Sequence, residues 1–431
     1  MERKLTERLK AWKEKKNRMP LLVNGARQVG KTYLLKEFGR TCYDQYIHIN
    51  LESNRQARAI FEEDAGPHRM VEYIEALSGI KAINGKTLII LDEIQACERA
   101  LASLKAFREE APEHHIVAAG SLLGVALHHE KYSFPVGNVD EMTLFPLDFE
   151  EFLWAQGEKS LADTIRQHYD SNEVMPKMLH NAALEWYRKY LVIGGMPAAV
   201  NAYVESNSIL DATEQQQYIL NQYVADMAKY AMPTTTVKVR ACYNSLPAQM
   251  AKENKKFQYK VVQRGGSASI YGESIDWLLY SGIALKCQKV DHGHLPLSVY
   301  ADLPDFKLYM SDIGLLTLKS EMPSSMLLSP IADDNTFMGG LVESYVAQAL
   351  TANGHSLYYW RNDNRGELDF VLQMGEQVIP LEVKSGRHTR ARSMDMFRKK
   401  YNCNLAMRIS TGNFGLANGI KAVPLYAVFC I

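Results

Sequence analysis

Residues 25–32 read GARQVGKT, and this octet restricts the possible folds more tightly than any other stretch of the chain. In the pattern G-x-x-x-x-G-K-T, Gly25 and Gly30 let the backbone curl until successive N–H groups point inward at phosphate oxygens. Lys31 sets a point charge against the β- and γ-phosphates, and the Thr32 hydroxyl is placed to ligate Mg²⁺. The flanks agree with this. Leu21, Leu22 and Val23 form a short apolar run suited to a buried strand, and Tyr33, Leu34, Leu35 and Phe38 recur at helical spacing. A loop that opens a helix N-terminus faces an anion with a favourable dipole. The octet therefore predicts a nucleoside-triphosphate site, with ATP and Mg²⁺ as the expected cofactors.

The other half of that site is expected about sixty residues on. Thr87 to Leu91 is a continuous apolar strand with Asp92 and Glu93 at its C-terminal end, where ligand sites of open α/β sheets collect. Asp92 is the expected partner of Mg²⁺, held through water, and Glu93 the expected base that orients the attacking water. A third strand, Ile116 to Ala119, ends in Gly120 and Ser121. Two readings of Ser121 stay open: a polar sensor of the γ-phosphate or lytic water, and a cap for the next helix.

At 431 residues, the chain is long enough for about three domains. Its formal net charge is zero, so composition argues neither for nor against nucleic acid. The six cysteines are scattered without a C-x-x-C pair, which points to reduced thiols in a cytoplasmic protein and away from a zinc site or disulfide framework. No apolar stretch reaches membrane-spanning length, so no membrane partner is expected. The N-terminus is a charged helix, not a signal peptide. Residues 2–18 carry eight basic side chains against three acidic ones. They read as a solvated face, with a phosphate-backbone contact as the alternative.

Within a first domain expected over 1–155, residues 20–155 alternate short apolar strands with helical stretches, as a parallel sheet with helices on both faces does. FPLDFEEFLWAQG (145–157) breaks the alternation, and residues 156–330 then read as mostly helical, punctuated by a turn at GGMP (194–197). Ile275, Leu278, Leu279 and Ile283 share one helical face. Strand-like segments follow at Ala284 to Val290 and Leu297 to Tyr300, around a DHGH turn. That order predicts a winged-helix-like module over about 235–320, with KENKKFQYK (252–260) offered to a DNA backbone. His292 and His294 in the turn lack a third nearby metal ligand.

Residues 331–431 carry a second constellation. RGELDFVL (365–372) and VIPLEVKSG (378–386) read as adjacent strands, and GGLVESYVAQAL (339–350) as a helix offering Glu343. Alternation places Glu382 and Lys384 on one face of their strand, with Asp369 able to join them if the strands pair antiparallel. Asp369 and Glu382 are the expected ligands of a second divalent metal. Lys384 and Glu343 complete the pocket, a set that meets the requirements of phosphodiester hydrolysis. Just beyond, residues 384–400 hold seven Lys or Arg against one Asp, a phosphate-contacting edge.

Taken together, GARQVGKTYLLKEFG, LIILDEIQ, AAGSLLGVAL, FPLDFEEFL, YLVIGGMPAAV, FKLYMSDIGLL, and ELDFVL with LEVKSG are similar to one family. The chain resembles the prokaryotic AAA-type ATPases in which a phosphate-loop domain precedes a helical and winged-helix region and a C-terminal restriction-endonuclease-like, PD-(D/E)xK, domain. The resemblance implies an α/β fold class with those three parts. It implies nucleotide contact for Gly25, Ala26, Arg27, Gln28, Val29, Gly30, Lys31 and Thr32, Mg²⁺ and hydrolysis roles for Asp92 and Glu93, and nuclease-type roles for Glu343, Asp369, Glu382 and Lys384. Where relatives show a basic residue after SFPVG, this chain has Asn138. Two functions follow as expectations. One is an ATPase coupled to metal-dependent cleavage or processing of nucleic acid, DNA foremost. The other is an ATP-switched regulator or binding module whose endonuclease-like domain does not cut. A homo-oligomer is compatible with both.

Overall fold

The structure, a computed structural model, describes residues 1–63, 65–121, 137–253, 255–329, 336–362, 366–384 and 392–431. The chain divides into two compact units, residues 2–145 with 280–282, and residues 146–279 with 283–431.

The first unit is built on five parallel strands: β1 (Leu21–Asn24), β2 (Gln45–Asn50), β3 (Thr87–Asp92), β4 (His115–Ala119) and β5 (Asp140–Thr143), in the order β2-β3-β4-β1-β5. Every residue of β3 and β4 is buried, which is why both read as unbroken apolar runs and not as alternating ones. The alternating strands β2 and β5 lie at the two edges. Helix Lys31–Cys42 buries Leu34, Leu35 and Phe38, three of the four residues whose spacing predicted it; Tyr33 faces solvent.

The second unit begins at helix Phe149–Ala155, whose start carries a full capping box between Asp148 and Glu151. Helices Lys177–Ile193, Pro197–Ser206, Ile209–Tyr230, Pro233–Met250 and Ala268–Tyr280 follow. The GGMP turn lies between the first two of these and is locked by buried hydrogen bonds. Gly195 N–H donates to Asp312 Oδ2 at 2.7 Å, and Leu147 N–H to the Gly195 carbonyl at 2.7 Å. The Tyr190 hydroxyl donates to the Leu147 carbonyl, and Gln348 Nε2 to the Tyr190 hydroxyl.

Eight strands form the unit's mixed sheet: β6 (Ala284–Val290), β7 (Ala301–Met310), β8 (Tyr358–Asn362), β9 (Gly366–Met374), β10 (Gln377–Val383), β11 (Ala406–Ser410), β12 (Gly415–Ala417) and β13 (Ile420–Pro424). Their order is β12-β13-β11-β10-β9-β8-β6-β7. Two sequence expectations need correction here. Leu297–Tyr300 is a 3₁₀ turn, and the second strand of the hairpin starts only at Ala301. The antiparallel pair β6–β7 is also not a free-standing wing, because β6 pairs in parallel with β8 through Gln288–Val290. A strand leaves one edge of N–H and C=O groups open after its hairpin forms, and local pattern does not say what fills it.

Candidate nucleotide site and C-terminal charge cluster

The phosphate loop joins β1 to the N-terminus of helix Lys31–Cys42. Gly25, Gln28 and Gly30 all take positive φ (145°, 67° and 95°), which turns the loop back on itself. Gly25 also lies so close to β5 that a Cβ would collide with the Leu144 carbonyl. Lys31 is buried and donates to the carbonyls of Gly25 and Ala26, both at 2.8 Å. Burial lowers its pKa to about 8, against the pull of Glu93 and Asp92. On its outer side the loop is held by Arg3, whose guanidinium donates to the Val29 carbonyl at 3.0 Å and the Phe145 carbonyl at 2.6 Å. Arg3 belongs to the basic N-terminal segment read as a solvated face, yet it is buried.

The sequence-separated half meets the loop directly. Thr32 Oγ1 donates to Asp92 Oδ2 at 2.7 Å, and His48 Nε2 approaches the same oxygen at 3.1 Å. Burial alone would raise the Asp92 pKa; the hydrogen bonds from His48 and Thr32 outweigh it and hold the carboxyl below its ordinary value. Glu93 sits at φ 52°, and its Oε2 accepts Ser121 Oγ at 3.0 Å and Gln95 Nε2 at 2.6 Å. Thr32, Asp92, Glu93 and Ser121 thus form one connected chain. His48 and Gln95 were missed. His48 shares a face of β2 with Tyr46 and Asn50, a polar face that alternation makes visible, whereas Gln95 follows Glu93 with no periodic signal. Asn138 Oδ1 accepts from Arg108 Nη1 at 2.8 Å. Residues 122–136, which include part of AAGSLLGVAL and most of SFPVG, lie outside the described residues.

In the second unit, β9 and β10 pair antiparallel. Asp369 comes one residue before Phe370, whose partner is Leu381, so it stands across from Glu382. Its Oδ2 accepts the Val383 N–H at 2.8 Å. Burial and the charge of Glu343 push its pKa up to about 6, against Lys255 and Lys307. Lys384 Nζ contacts Glu382 Oε1 at 2.7 Å, while the buried Oε2 has no hydrogen-bond partner among the described residues.

Glu343 has different company. Its Oε1 takes Lys307 Nζ at 2.9 Å and the Tyr309 hydroxyl; its Oε2 takes Lys255 Nζ. Burial would raise its pKa, but the two ammonium groups overcome this and hold it at about 2. The structure therefore joins Glu382 to Lys384 and Glu343 to lysines that sequence reading had not placed there. Among the described residues, the one group of three or more His, Cys, Asp or Glu whose ligand atoms all lie within 4.8 Å of one another is His68, Glu113 and His114, in the first unit. The basic stretch 252–260, expected to face DNA, turns two of its lysines to internal acids: Lys255 to Glu343 and Lys256 to Asp305 Oδ2 at 2.8 Å. Part of the second basic run, residues 385–391, lies outside the described residues.

Three families match successive stretches of the chain: an AAA domain over residues 17–153, a Domain of unknown function (DUF8612) over 184–325, and a Domain of unknown function (DUF4143) over 338–428. No curated protein matches the chain. Among solved structures, the Walker-type ATPase of Pyrococcus abyssi is 14% identical, covering 73% of this chain and 94% of its own, at a TM-score of 0.42. The Aeropyrum pernix ORC1 protein, solved in complex with DNA, is 13% identical over 75% of this chain and 92% of its own, at 0.29. VC1899 from Vibrio cholerae is 12% identical over 95% and 88%, at 0.17. Likenesses this loose add nothing to the site's own geometry. The matched family and the assembled loop, strand and helix agree that residues 17–153 are an AAA-type P-loop ATPase domain.

Proposed function

We propose that this chain is a slow, Mg²⁺-dependent ATPase whose nucleotide state drives a C-terminal α/β domain that holds a nucleic acid or protein partner without cutting it. The observation that carries the reading is the connected set Thr32–Asp92–Glu93–Ser121 beneath a loop whose curvature fits phosphate. The amides of residues 25–30 with Lys31 would hold the phosphates, and Thr32 with Asp92 would hold Mg²⁺, which supplies charge neutralisation when bound. Glu93, oriented by Ser121 and Gln95, would align the attacking water. Support for a nucleic-acid partner comes from helix Arg392–Tyr401, which buries Met394 and Phe397 and exposes Arg392, Lys399 and Lys400.

Cleavage of DNA at Asp369, Glu382 and Lys384 is the competing reading, and the unpartnered Glu382 oxygen opposite Asp369 supports it. Lys31→Ala should abolish tight ATP binding; Glu93→Gln should keep binding and lose turnover by about a hundredfold or more. Equal ATP affinity in Lys31→Ala and the parent would discard the assigned site. Incubating the full chain with DNA and Mn²⁺, with and without ATP, separates the two readings: ATP-sensitive retention of intact DNA favours the first, cleavage lost in Asp369→Asn the second.

A further inference from the structure

One of the acids that the sequence grouped around a divalent cation, Glu343, already holds a cation in the fold. Lys307, on β7, is 1% exposed, and its Nζ lies 2.9 Å from Glu343 Oε1 and 2.6 Å from Glu367 Oε1. The Tyr359 ring covers the same ammonium, 4.6 Å from its centroid. Lys255 closes on the other oxygen of Glu343, and Tyr309 shares the first. Both oxygens of Glu343 thus face N–H and O–H donors, although a magnesium ligand must turn a free lone pair to the ion at about 2.0–2.1 Å. Of the neighbouring acids, Asp369 spends one oxygen on the Val383 N–H, and Glu382 spends Oε1 on Lys384 while its Oε2 has no hydrogen-bond partner among the described residues.

A divalent ion at Glu343 would have to displace a buried ammonium that Glu343 and Glu367 share. Burying a lysine is costly unless partners hold it in place, and Lys307 has two acids and an aromatic face as partners. Three lysines (255, 307, 384) stand against four acids (343, 367, 369, 382), so the cluster is close to neutral without any added ion.

We propose that Lys307, assisted by Lys255, is the resident cation of the C-terminal cluster, and that this domain holds its acids together without a divalent metal. The Glu382–Lys384 contact is then an ion pair and not half of a metal site. The inference deepens the non-cutting reading of this domain. It concerns residues of the second unit only, so a nucleotide site that failed its own test would leave it standing.

The test uses the full chain free of nucleotide, titrated with Mn²⁺ and followed by electron paramagnetic resonance of the free ion. Parent, Asp369→Asn and Glu382→Gln should show the same Mn²⁺ binding, within twofold. A stoichiometric site in the parent that weakens about tenfold or more in either variant would overturn the proposal. Thermal melting supplies a second readout. Lys307→Met should melt lower than the parent, and Mn²⁺ should raise its melting temperature while leaving the parent's unchanged. A Lys307→Met protein as stable as the parent would also sink the idea. If that variant does not fold, the Mn²⁺ comparison of the parent with the two acid variants decides alone.

Discussion

In the proposed nucleotide site Lys31 has to be charged, yet it is buried, and this sets a pH limit on ATP binding. Its pKa in the free protein is lowered to about 8, and bound phosphates raise it again. ATP affinity should therefore be flat below about pH 8 and fall above it, with proton uptake on binding in that range. Calorimetry in buffers of different ionisation heat measures this uptake; pH-independent affinity up to pH 9.5 would contradict the protonation argument. Asp312 is the opposite case. Burial lifts its carboxyl to about 6, although the N–H groups of Gly195, Leu315 and Gly314 oppose the shift. A raised folded-state pKa means the folded form binds the proton more tightly. This contribution is therefore fully present below about pH 4 and is lost as pH rises through 6, on the order of 2 to 3 kcal/mol. Asp312→Asn removes the titration and turns a donor toward an N–H, at a cost of about 1–3 kcal/mol at pH 7. Its deficit against the parent should widen from pH 7 to pH 4 in denaturant unfolding; a constant or shrinking deficit would refute this.

Elements in the second unit are held by backbone approach as much as by side chains. Gly195 sits so near the Leu147 carbonyl that a Cβ there would collide with it, and the same residue exchanges hydrogen bonds with Leu147 and Asp312. Gly195→Ala should destabilise by about 1–3 kcal/mol or more, because backbone at this contact cannot swing aside as a side chain can. Urea unfolding checks it, and an unchanged midpoint would show that the junction has slack. Strand β10 shows how one residue trims pairing. Its parallel ladder to β11 covers only Leu381–Val383, beginning just after Pro380, which has no N–H to donate. Helix Thr336–Ala352 is buried over most of its length, which explains why a carboxylate at Glu343 requires two lysines and a tyrosine around it.

At the scale of the molecule, the boundary near residue 330 divides one sheet. β6 and β7 precede that boundary, while β8 and the partners of Lys307, namely Glu343 and Glu367, come after it. A chain ending at residue 330 would leave Lys307 with neither acid, and β6 with a bare edge. Such a fragment should lose amide protection over residues 284–310 in hydrogen exchange while keeping it in β1, β3 and β4. Full protection of the hairpin in the fragment would mean that the middle region folds without its C-terminal strands. Among the described residues no helix is long and apolar enough to cross a membrane.

What could be read from the residues alone was whatever depends on short stretches of backbone. GARQVGKT carries its own curvature, TLIILD its own burial, and ELDFVL with PLEV their own strands, so the loop between β1 and helix Lys31–Cys42, the buried strand β3 and the paired strands β9 and β10 were legible. Cross-chain partnerships were not. That Thr32 would reach Asp92 followed from matching two motifs, but His48, Gln95 and Arg3 join that site through the packing of other segments. Glu343, Asp369, Glu382 and Lys384 looked like a metal set because carboxylates close in pattern repel one another and ask for a cation. In the tertiary structure Glu343 meets Lys307 from β7 and Lys255 from the stretch 252–260, two places with no sequence proximity to it. Charge satisfaction is decided by distance in space, and only the folded chain fixes that distance.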